Sequence, residues 1–359
     1  MKVAVVGVGA IGSRHTAYLR GAGHRVVTVD PERPADFSHV DGLTTVSDVD
    51  AWIVSTPTDA HLSVVDEILV RAPAARVLLE KPACEPRDLP RLERYALNHR
   101  DARIVVNDVY DHSVAVRQFA RLVRDVGASD PVSKITVEFT KNRDLDADRG
   151  RFVDSSYGEV GYEWFHMLAI VRSLVPRDQY RRYLARRPQV VTDEMRTRTR
   201  TGDIPEIELY ASTKGEVAFP ETASFAFTEA STREQINSGA IPYGSDLRYR
   251  FVNVETHSGT ALTLVFEPHF GAGHDYKNEH AIHVRGAEVP HSLTISGNQL
   301  HHALSIQLRE LVGGGRGTSR LRLAEHRHMS MLTDAVFADR LCGPRPPTNL
   351  LDLRGVSHV

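Results

Sequence analysis

Leu78-Leu79-Glu80-Lys81-Pro82 is the stretch on which the reading of this chain turns. An apolar run, Ala75 to Leu79 with Arg76 inside it, stops at an acid, a base and a proline. A short run of that character reads as a buried parallel strand. Pro82 has no N–H to give to a ladder and ends it. Lys81 therefore sits at the carboxyl end of a strand, where open α/β sheets bind their ligands. A lysine held there can hydrogen-bond a ribose or polarise a substrate oxygen. Taken alone, the tripeptide is equally an ordinary strand-to-helix loop with a surface lysine.

The residues upstream tilt the balance. Lys2 to Val6 is β-rich and runs into Gly7-Val8-Gly9-Ala10-Ile11-Gly12, a G-x-G-x-x-G pattern between a strand and a helix. Gly7 permits the tight turn, Gly9 lets the backbone approach a pyrophosphate, and Gly12 lets helix and strand pack closely. The N–H groups of the helix that begins at Ala10 and Ile11 offer a seat for phosphate. A second strand, Arg25 to Val29, ends in Asp30, 23 residues after Gly7 and about where the ribose 2′-OH of NAD is held. A carboxylate there repels the 2′-phosphate of NADP, which favours NAD; Arg33 nearby could accommodate that phosphate, so NADP stays open. Ala51 to Val54 is another buried strand and leads into Ser55-Thr56-Pro57, with a helix from Ala60 to about Arg71. A helix from Arg87 or Leu89 to Asn98, a strand from Ile104 to Val106 and a helix from about Ser113 to Asp125 complete a doubly wound parallel sheet over residues 1–125.

The chain resembles the glucose–fructose oxidoreductase, inositol dehydrogenase and rhizopine-catabolism (Gfo/Idh/MocA) family. Four features carry the resemblance: Gly7-x-Gly-x-x-Gly12, the Ser55-Thr56-Pro57 turn with His61 four residues later, Glu80-Lys81-Pro82, and a later helix containing His166. It implies an N-terminal Rossmann domain, with Ser55, Thr56, His61, Glu80 and Lys81 around the cofactor. It implies Lys81 beside nicotinamide and substrate, and a cis Lys81–Pro82 bond. It also implies a second domain with a large open-faced sheet, one face of which serves association, hence a homodimer or homotetramer.

The residues of the second part, 126–359, agree with such a domain. Ser133 to Lys141 alternates, with Ile135, Val137 and Phe139 on one face, as a strand covered on one side does. Glu206–Ala211, Glu216–Phe219, Ser224–Phe227, Leu247–Thr256 and Ala261–Phe266 read similarly, with a hairpin turn at His257-Ser258-Gly259-Thr260. The expectation is an α+β unit with a mainly antiparallel sheet. In the helix Gly158 to Leu174 the family pattern is Asp-x-Gly-x-His-x-x-Asp. Alignment on His166 puts Tyr162 at the first aspartate and Ala169 at the last, a departure that leaves Glu163 to supply the carboxylate from a neighbouring angle. Tyr162, Glu163 and His166 lie at i, i+1 and i+4 of that helix. Asp108, Tyr110 and His112, after the strand at Ile104, are expected to touch substrate, unless they form a solvated turn. Their acidic character would suit a cationic or hydroxyl-rich substrate.

Between Arg177 and Arg200 there are eight arginines and three acids, read as a solvated loop or as a charged edge strand at Arg196 to Arg200. Histidines crowd the C-terminal half without metal-ligand spacing, so no metal is expected. A helix opens at His301-His302 and runs to Leu311; the last, His326 to Leu341, is expected on the antiparallel sheet or back on the first domain.

The 359 residues suffice for two domains. A net charge of −2 gives no reason to expect nucleic acid or an anionic membrane as partner, and two cysteines, Cys84 and Cys342, fit a reduced cytoplasmic setting. Met1 to Gly12 is punctuated by glycines and followed by Ser13-Arg14-His15, unlike a signal peptide. The function expected is hydride transfer between NAD(P) and a carbinol or carbonyl carbon of a sugar, cyclitol or related polar small molecule. Lys81 would hold the oxygen and His166 would exchange the proton, with Glu163 or Tyr162 orienting His166. Two other readings fit the same residues: an imine or amino-sugar reductase, and a non-catalytic NAD(P)-binding sensor.

Overall fold

The structure is a computed structural model that describes residues 1–150, 153–154, 156–187, 189–192, 196–202, 204–214, 248–267, 278–286, 291–314 and 320–342. Five strands, β1 (Lys2–Val6), β2 (Arg25–Val29), β3 (Ala51–Val54), β4 (Arg76–Leu79) and β5 (Arg103–Val106), form a parallel sheet in the order β2-β1-β3-β4-β5. The unbroken apolar runs have their reason in burial on both faces: Val3 to Val5, Ala51 to Val54 and Val77 to Leu79 are all at most 1% exposed. Helices α1 (Ala10–Gly21), α2 (His61–Arg71), α3 (Leu89–Asn98) and α4 (Val114–Gly127) alternate with the strands. Ser113 caps α4, its hydroxyl accepting from the Val116 N–H. Strand order reverses between β1 and β3, so the crevice for a ligand opens above their carboxyl ends.

The chain then builds β6 (Val132–Lys141), the short α5 (Asp144–Asp148), α6 (Glu159–Leu174) and α7 (Arg177–Ala185). Strands β7 (Gln189–Thr192), β8 (Arg196–Thr201), β9 (Ile204–Ser212), β10 (Arg248–Thr256), β11 (Ala261–Glu267), β12 (Glu279–Arg285) and β13 (His291–Ser296) follow, and α8 (Gln299–Gly313) and α9 (Leu323–Cys342) close the described chain. The eight strands order as β13-β12-β11-β10-β6-β9-β8-β7, antiparallel throughout except for the β6–β9 pair. The expected pair of domains, a doubly wound parallel sheet and an α+β unit on a mainly antiparallel sheet, is what the chain forms.

Several expectations change in detail. Arg196–Thr201 is a strand, but β7 covers its outer side, so it is not the edge. Its arginines meet acids across the ladder: Arg196 Nε is 2.5 Å and Lys134 Nζ 2.9 Å from the buried Glu208, and Arg200 Nε is 3.1 Å from Glu206. Those long side chains lie over the face expected to be solvated, and Thr136, Glu138 and Thr140 of β6 are buried there. Helix α7 escaped the sequence reading because Tyr180, Tyr183 and Leu184 are its only buried side chains, among arginines. Strands β12 and β13 were hidden behind their histidines. Glu216–Phe219 and Ser224–Phe227 lie outside the described residues.

Helix α8 returns to the first sheet. Its Leu304, Leu308 and Leu311 pack with Leu19 of α1 against Val3, Val5, Ala51, Ile53, Leu78 and Val105, closing the face opposite α2. Arg320 adds one bridge beside Val105. Helix α9 runs between α3 of the first domain and α6 and α7 of the second. Among the described residues no helix is long and apolar enough to cross a membrane.

Candidate active site

The glycine turn has the three properties its spacing predicts. Gly7 adopts φ +89°, and a Cβ there would lie 2.6 Å from the backbone between Ser55 and Thr56. A Cβ on Gly12 would lie 1.9 Å from the Gly7 carbonyl oxygen, so helix and turn meet without room for a side chain. Gly9 has nothing within 4 Å of where a Cβ would stand, and no side chain caps α1, so its first N–H groups are left for an anion. Ser55 Oγ donates to the Gly7 carbonyl at 3.0 Å and buttresses the turn from β3. Asp30, at the end of β2, accepts from the Val8 N–H at 2.7 Å with one carboxylate oxygen and from the Glu32 and Arg33 N–H groups at 2.9 Å with the other. Burial alone would raise its pKa; those N–H groups and the Arg33 charge outweigh burial and hold the carboxylate below its ordinary range. An open cradle at a helix N-terminus with an ionised acid beside it fits the pyrophosphate and ribose of a dinucleotide.

Lys81 follows β4 in a turn gripped residue by residue. The Lys81–Pro82 peptide is cis. Glu80 Oε1 accepts from His15 Nε2 at 2.8 Å and from Asn107 Nδ2 at 2.6 Å, and Asn107 in turn accepts from Gln307 of α8 at 2.7 Å. The Pro82 carbonyl faces His61 Nδ1 at 2.9 Å, the Ala83 N–H donates to His326 Nε2 at 2.9 Å, and the Cys84 carbonyl accepts from Tyr157 at 2.9 Å. Lys81 is the one member of this turn that is half-buried; its neighbours are buried.

Helix α6 brings the second set. Glu163 is 3% exposed and bound by two arginines: Arg143 Nη2 donates at 2.5 Å, and Arg250 Nη2 reaches both carboxylate oxygens at 2.7 Å. Burial would raise the Glu163 pKa, but Arg250 and Arg143, then His166 and Lys81, drive it far below the carboxylate range. His166, one turn on, is 8% exposed, and its Nδ1 is buried without a hydrogen-bond partner. Its ring lies 4.8 Å from that of Tyr110, which also contacts Phe139 and Phe266 and accepts from Arg250 Nη1 at 3.2 Å. Burial pushes the His166 pKa well down; Lys81, Arg250 and Arg143 add to this against Glu163. Burial likewise lowers Lys81, opposed by Glu163 and Glu80 and aided by Arg143 and Arg250. The lysine of one domain and the histidine of the other thus lie within reach of each other's charge.

The remaining sequence candidates are placed differently. Glu163, expected to orient His166, is itself held by arginines on both oxygens. Asp108, expected to touch substrate, is 1% exposed and engaged by arginines, with Arg172 Nη2 at 2.5 Å and Arg322 Nε at 3.5 Å. His112 is buried, and burial lowers its pKa against the charges of Asp111, Glu310 and Asp108. His61 lies behind the cleft, 1% exposed, with a carbonyl facing each ring nitrogen at 2.9 Å; it ties the Thr56 turn to the Lys81 turn. The Tyr162 backbone is part of α6, and its side chain lies outside the described residues. Arg143 and Arg250 escaped the sequence reading. Their one signal was alternation in β10, which puts Arg250 on the same face as Val252 and Val254.

Residues 1–106 match the model of the GFO_IDH_MocA oxidoreductase family, NAD-binding Rossmann fold, in agreement with the resemblance read from the sequence. No curated protein sequence matches the chain. Among solved structures it is similar to KijD10, a 3-ketoreductase from Actinomadura kijaniata in complex with TDP-benzene and NADP (TM-score 0.62, 13% identity, covering 94% of this chain and 96% of that one). It is similar to a D-galactose-1-dehydrogenase from Rhizobium etli (TM-score 0.57, 14% identity, 95% and 94%) and to an oxidoreductase from Agrobacterium radiobacter in complex with NAD+, L-tartaric acid and magnesium (TM-score 0.59, 14% identity, 96% and 97%). At these identities the structures establish a shared fold.

Proposed function

We propose that this NAD(P)-dependent oxidoreductase moves a hydride between nicotinamide and a carbinol or carbonyl carbon of a sugar, cyclitol or related polar small molecule. One observation carries the reading: the Lys81 turn at the end of β4 is tied to the helix that bears His166, Tyr157 just before α6 donating to the Cys84 carbonyl at 2.9 Å. When bound, the nicotinamide supplies the hydride or accepts it. Gly9 and the N-terminus of α1 would hold the pyrophosphate and Asp30 the ribose; the ionised carboxylate would repel a 2′-phosphate, so NAD is the preferred form. The Lys81 ammonium binds the reacting oxygen and stabilises the negative charge that develops on it. His166, kept neutral by burial and by its cationic neighbours, is in the base form and takes the hydroxyl proton during oxidation; in reduction the proton returns by the same path. Glu163 acts on both groups through charge. Tyr110, Arg143 and Arg250 shape the wall against which the substrate rests. Copies of the chain associate through the second sheet, in the cytoplasm.

The test is Lys81→Met. Turnover followed by reduced-cofactor absorbance, over a panel of inososes, keto-sugars and aldoses such as D-galactose, should drop by at least about 10²-fold in the variant. NADH affinity should change little. A variant that keeps wild-type turnover ends the reading, and wild-type protein that binds NADH tightly yet is silent on the whole panel favours a sensor.

A further inference from the structure

Both halves of the proposed site lead to the first turn of α9. His326, in that turn, is fully buried and takes the Ala83 N–H on Nε2 at 2.9 Å, two residues beyond Lys81. Its Nδ1 lies 2.8 Å from the Arg322 carbonyl oxygen. A backbone N–H can only donate and a carbonyl can only accept, so the ring is neutral and carries its proton on Nδ1. The same turn reaches α6. Glu325 Oε1 accepts from Arg172 Nη1 at 2.8 Å and from the Tyr180 hydroxyl at 3.3 Å. Arg172 lies six residues after His166 on α6, and its other terminal nitrogen binds Asp108 and Asp111 at the end of β5 at 2.5 and 3.1 Å. Arg322 holds Asp111 at 2.6 Å and adopts φ +52°, a conformation that side chains rarely take. Lys81 and His166 come from different domains, yet the backbone carrying each is referenced to two adjacent residues of α9, His326 and Glu325.

We propose that His326 is a positioning residue: by accepting the Ala83 N–H from the α9 turn that also holds Arg172, it fixes the Lys81 turn at its distance from His166. The inference rests on the assignment of Lys81 and His166 above. It accounts for a fully buried imidazole that joins the backbone of the Lys81 turn to the start of α9. Burial lowers the His326 pKa, with the Arg322 carbonyl and Glu325 opposing and His61 adding, so the accepting form persists at neutral pH. The ring also packs 5.4 Å from Phe165, and loss of that packing is the competing account of any defect.

Two substitutions separate the accounts, because each loses the ring and keeps one of its bonds. Gln at 326 carries an acceptor at about the Nε2 position and can take the Ala83 N–H. Asn is too short for Ala83 but can donate to the Arg322 carbonyl as Nδ1–H does. The expected result is kcat near wild type for His326→Gln and lowered on the order of 10²-fold for His326→Asn, as for a displacement of about 1 Å at a reacting group. KM for NADH should move less than about threefold in both, since the pyrophosphate and ribose are assigned to Gly9 and Asp30, on other elements. A readout that needs no substrate is the titration of Lys81 itself, followed by NMR after reductive ¹³C-methylation of the full-length protein, with Lys81→Met to assign the signal. In His326→Asn that resonance should move toward an ordinary lysine pKa, and in His326→Gln it should not. Equal defects in both variants, or a loss of thermal stability with kcat and the Lys81 titration unchanged, overturn the proposal. If Lys81→Met keeps turnover, the functional assignment fails, while the Lys81 titration still decides whether His326 places that side chain.

Discussion

Gly9 and Gly12 stand three residues apart and do opposite things, and substitution should separate them. Gly9 has an extended backbone, φ −70°, that alanine adopts freely, and open space where the methyl would go. Gly9→Ala should therefore leave the melting temperature unchanged while the methyl occupies the phosphate seat, weakening NADH binding by roughly tenfold, about 1.4 kcal/mol. Gly12→Ala sets a methyl 1.9 Å from a carbonyl oxygen and 2.8 Å from Ser55 Oγ, so the turn must shift. It should destabilise by about 1–3 kcal/mol, as overpacking does, and lose binding with it. Thermal unfolding and a fluorescence titration with NADH on both variants check the pair; equal loss of stability would contradict the geometry. These glycines were legible in the sequence because each requirement is local, a turn or a close approach within one βα unit. Asp108 was not. Its partner Arg172 is 64 residues away, and an acid beside a strand end looks the same whether it faces a substrate or an arginine. Arg250 was missed for the converse reason: its role depends on Glu163, from another element 87 residues distant.

At the scale of elements, period and punctuation revealed what a segment is more readily than what it covers. The spacing of Leu304, Leu308 and Leu311, at i, i+4 and i+7, announces a helix with one apolar face. Nothing in it says that the face seals a sheet built from the first hundred residues. That destination is set by the sheet, whose strands are apolar on both sides and need two layers of cover, while α1 alone supplies too little on this side. The consequence is measurable. Leu308 is 1% exposed against that sheet, and Leu308→Ala should cost about 2–5 kcal/mol in urea unfolding, as buried Leu→Ala changes do. Because Gln307 of the same helix holds Asn107, which holds Glu80, the variant should also lose turnover faster than global unfolding explains. A loss under 1 kcal/mol would mean that α8 is peripheral to the first domain.

For the whole molecule the decisive feature is the number of imidazoles kept neutral inside it. His166, His326 and His328 are at most 8% exposed, and burial is the leading cause that lowers the pKa of each, to about 4 for His328. The unfolded chain takes a proton on each near 6.5 while the native chain does not, so below that pH the unfolded state binds more protons and stability falls as pH falls. Each such histidine contributes about 1.4 kcal/mol per pH unit over this range. The lowered carboxylates, Glu163 and Glu80, act elsewhere: their contribution is complete above an unfolded pKa near 4.5 and is lost only below it. The window between about 4.5 and 6.5 is therefore governed by the histidines, with the Asp108 carboxyl, which burial raises, opposing them. Unfolding free energy from urea titrations at pH 7.0 and pH 5.0 should differ by at least about 2 kcal/mol, the effect of one histidine across 1.5 units. Turnover per folded molecule should persist through this interval and fall only at lower pH, where protonation of His326 sets an N–H against the Ala83 N–H and protonation of His166 removes the proposed base. A flat stability profile from pH 7 to pH 5 would mean that these rings are charged in the native fold, and the neutral, Nδ1-protonated His326 would fall with it.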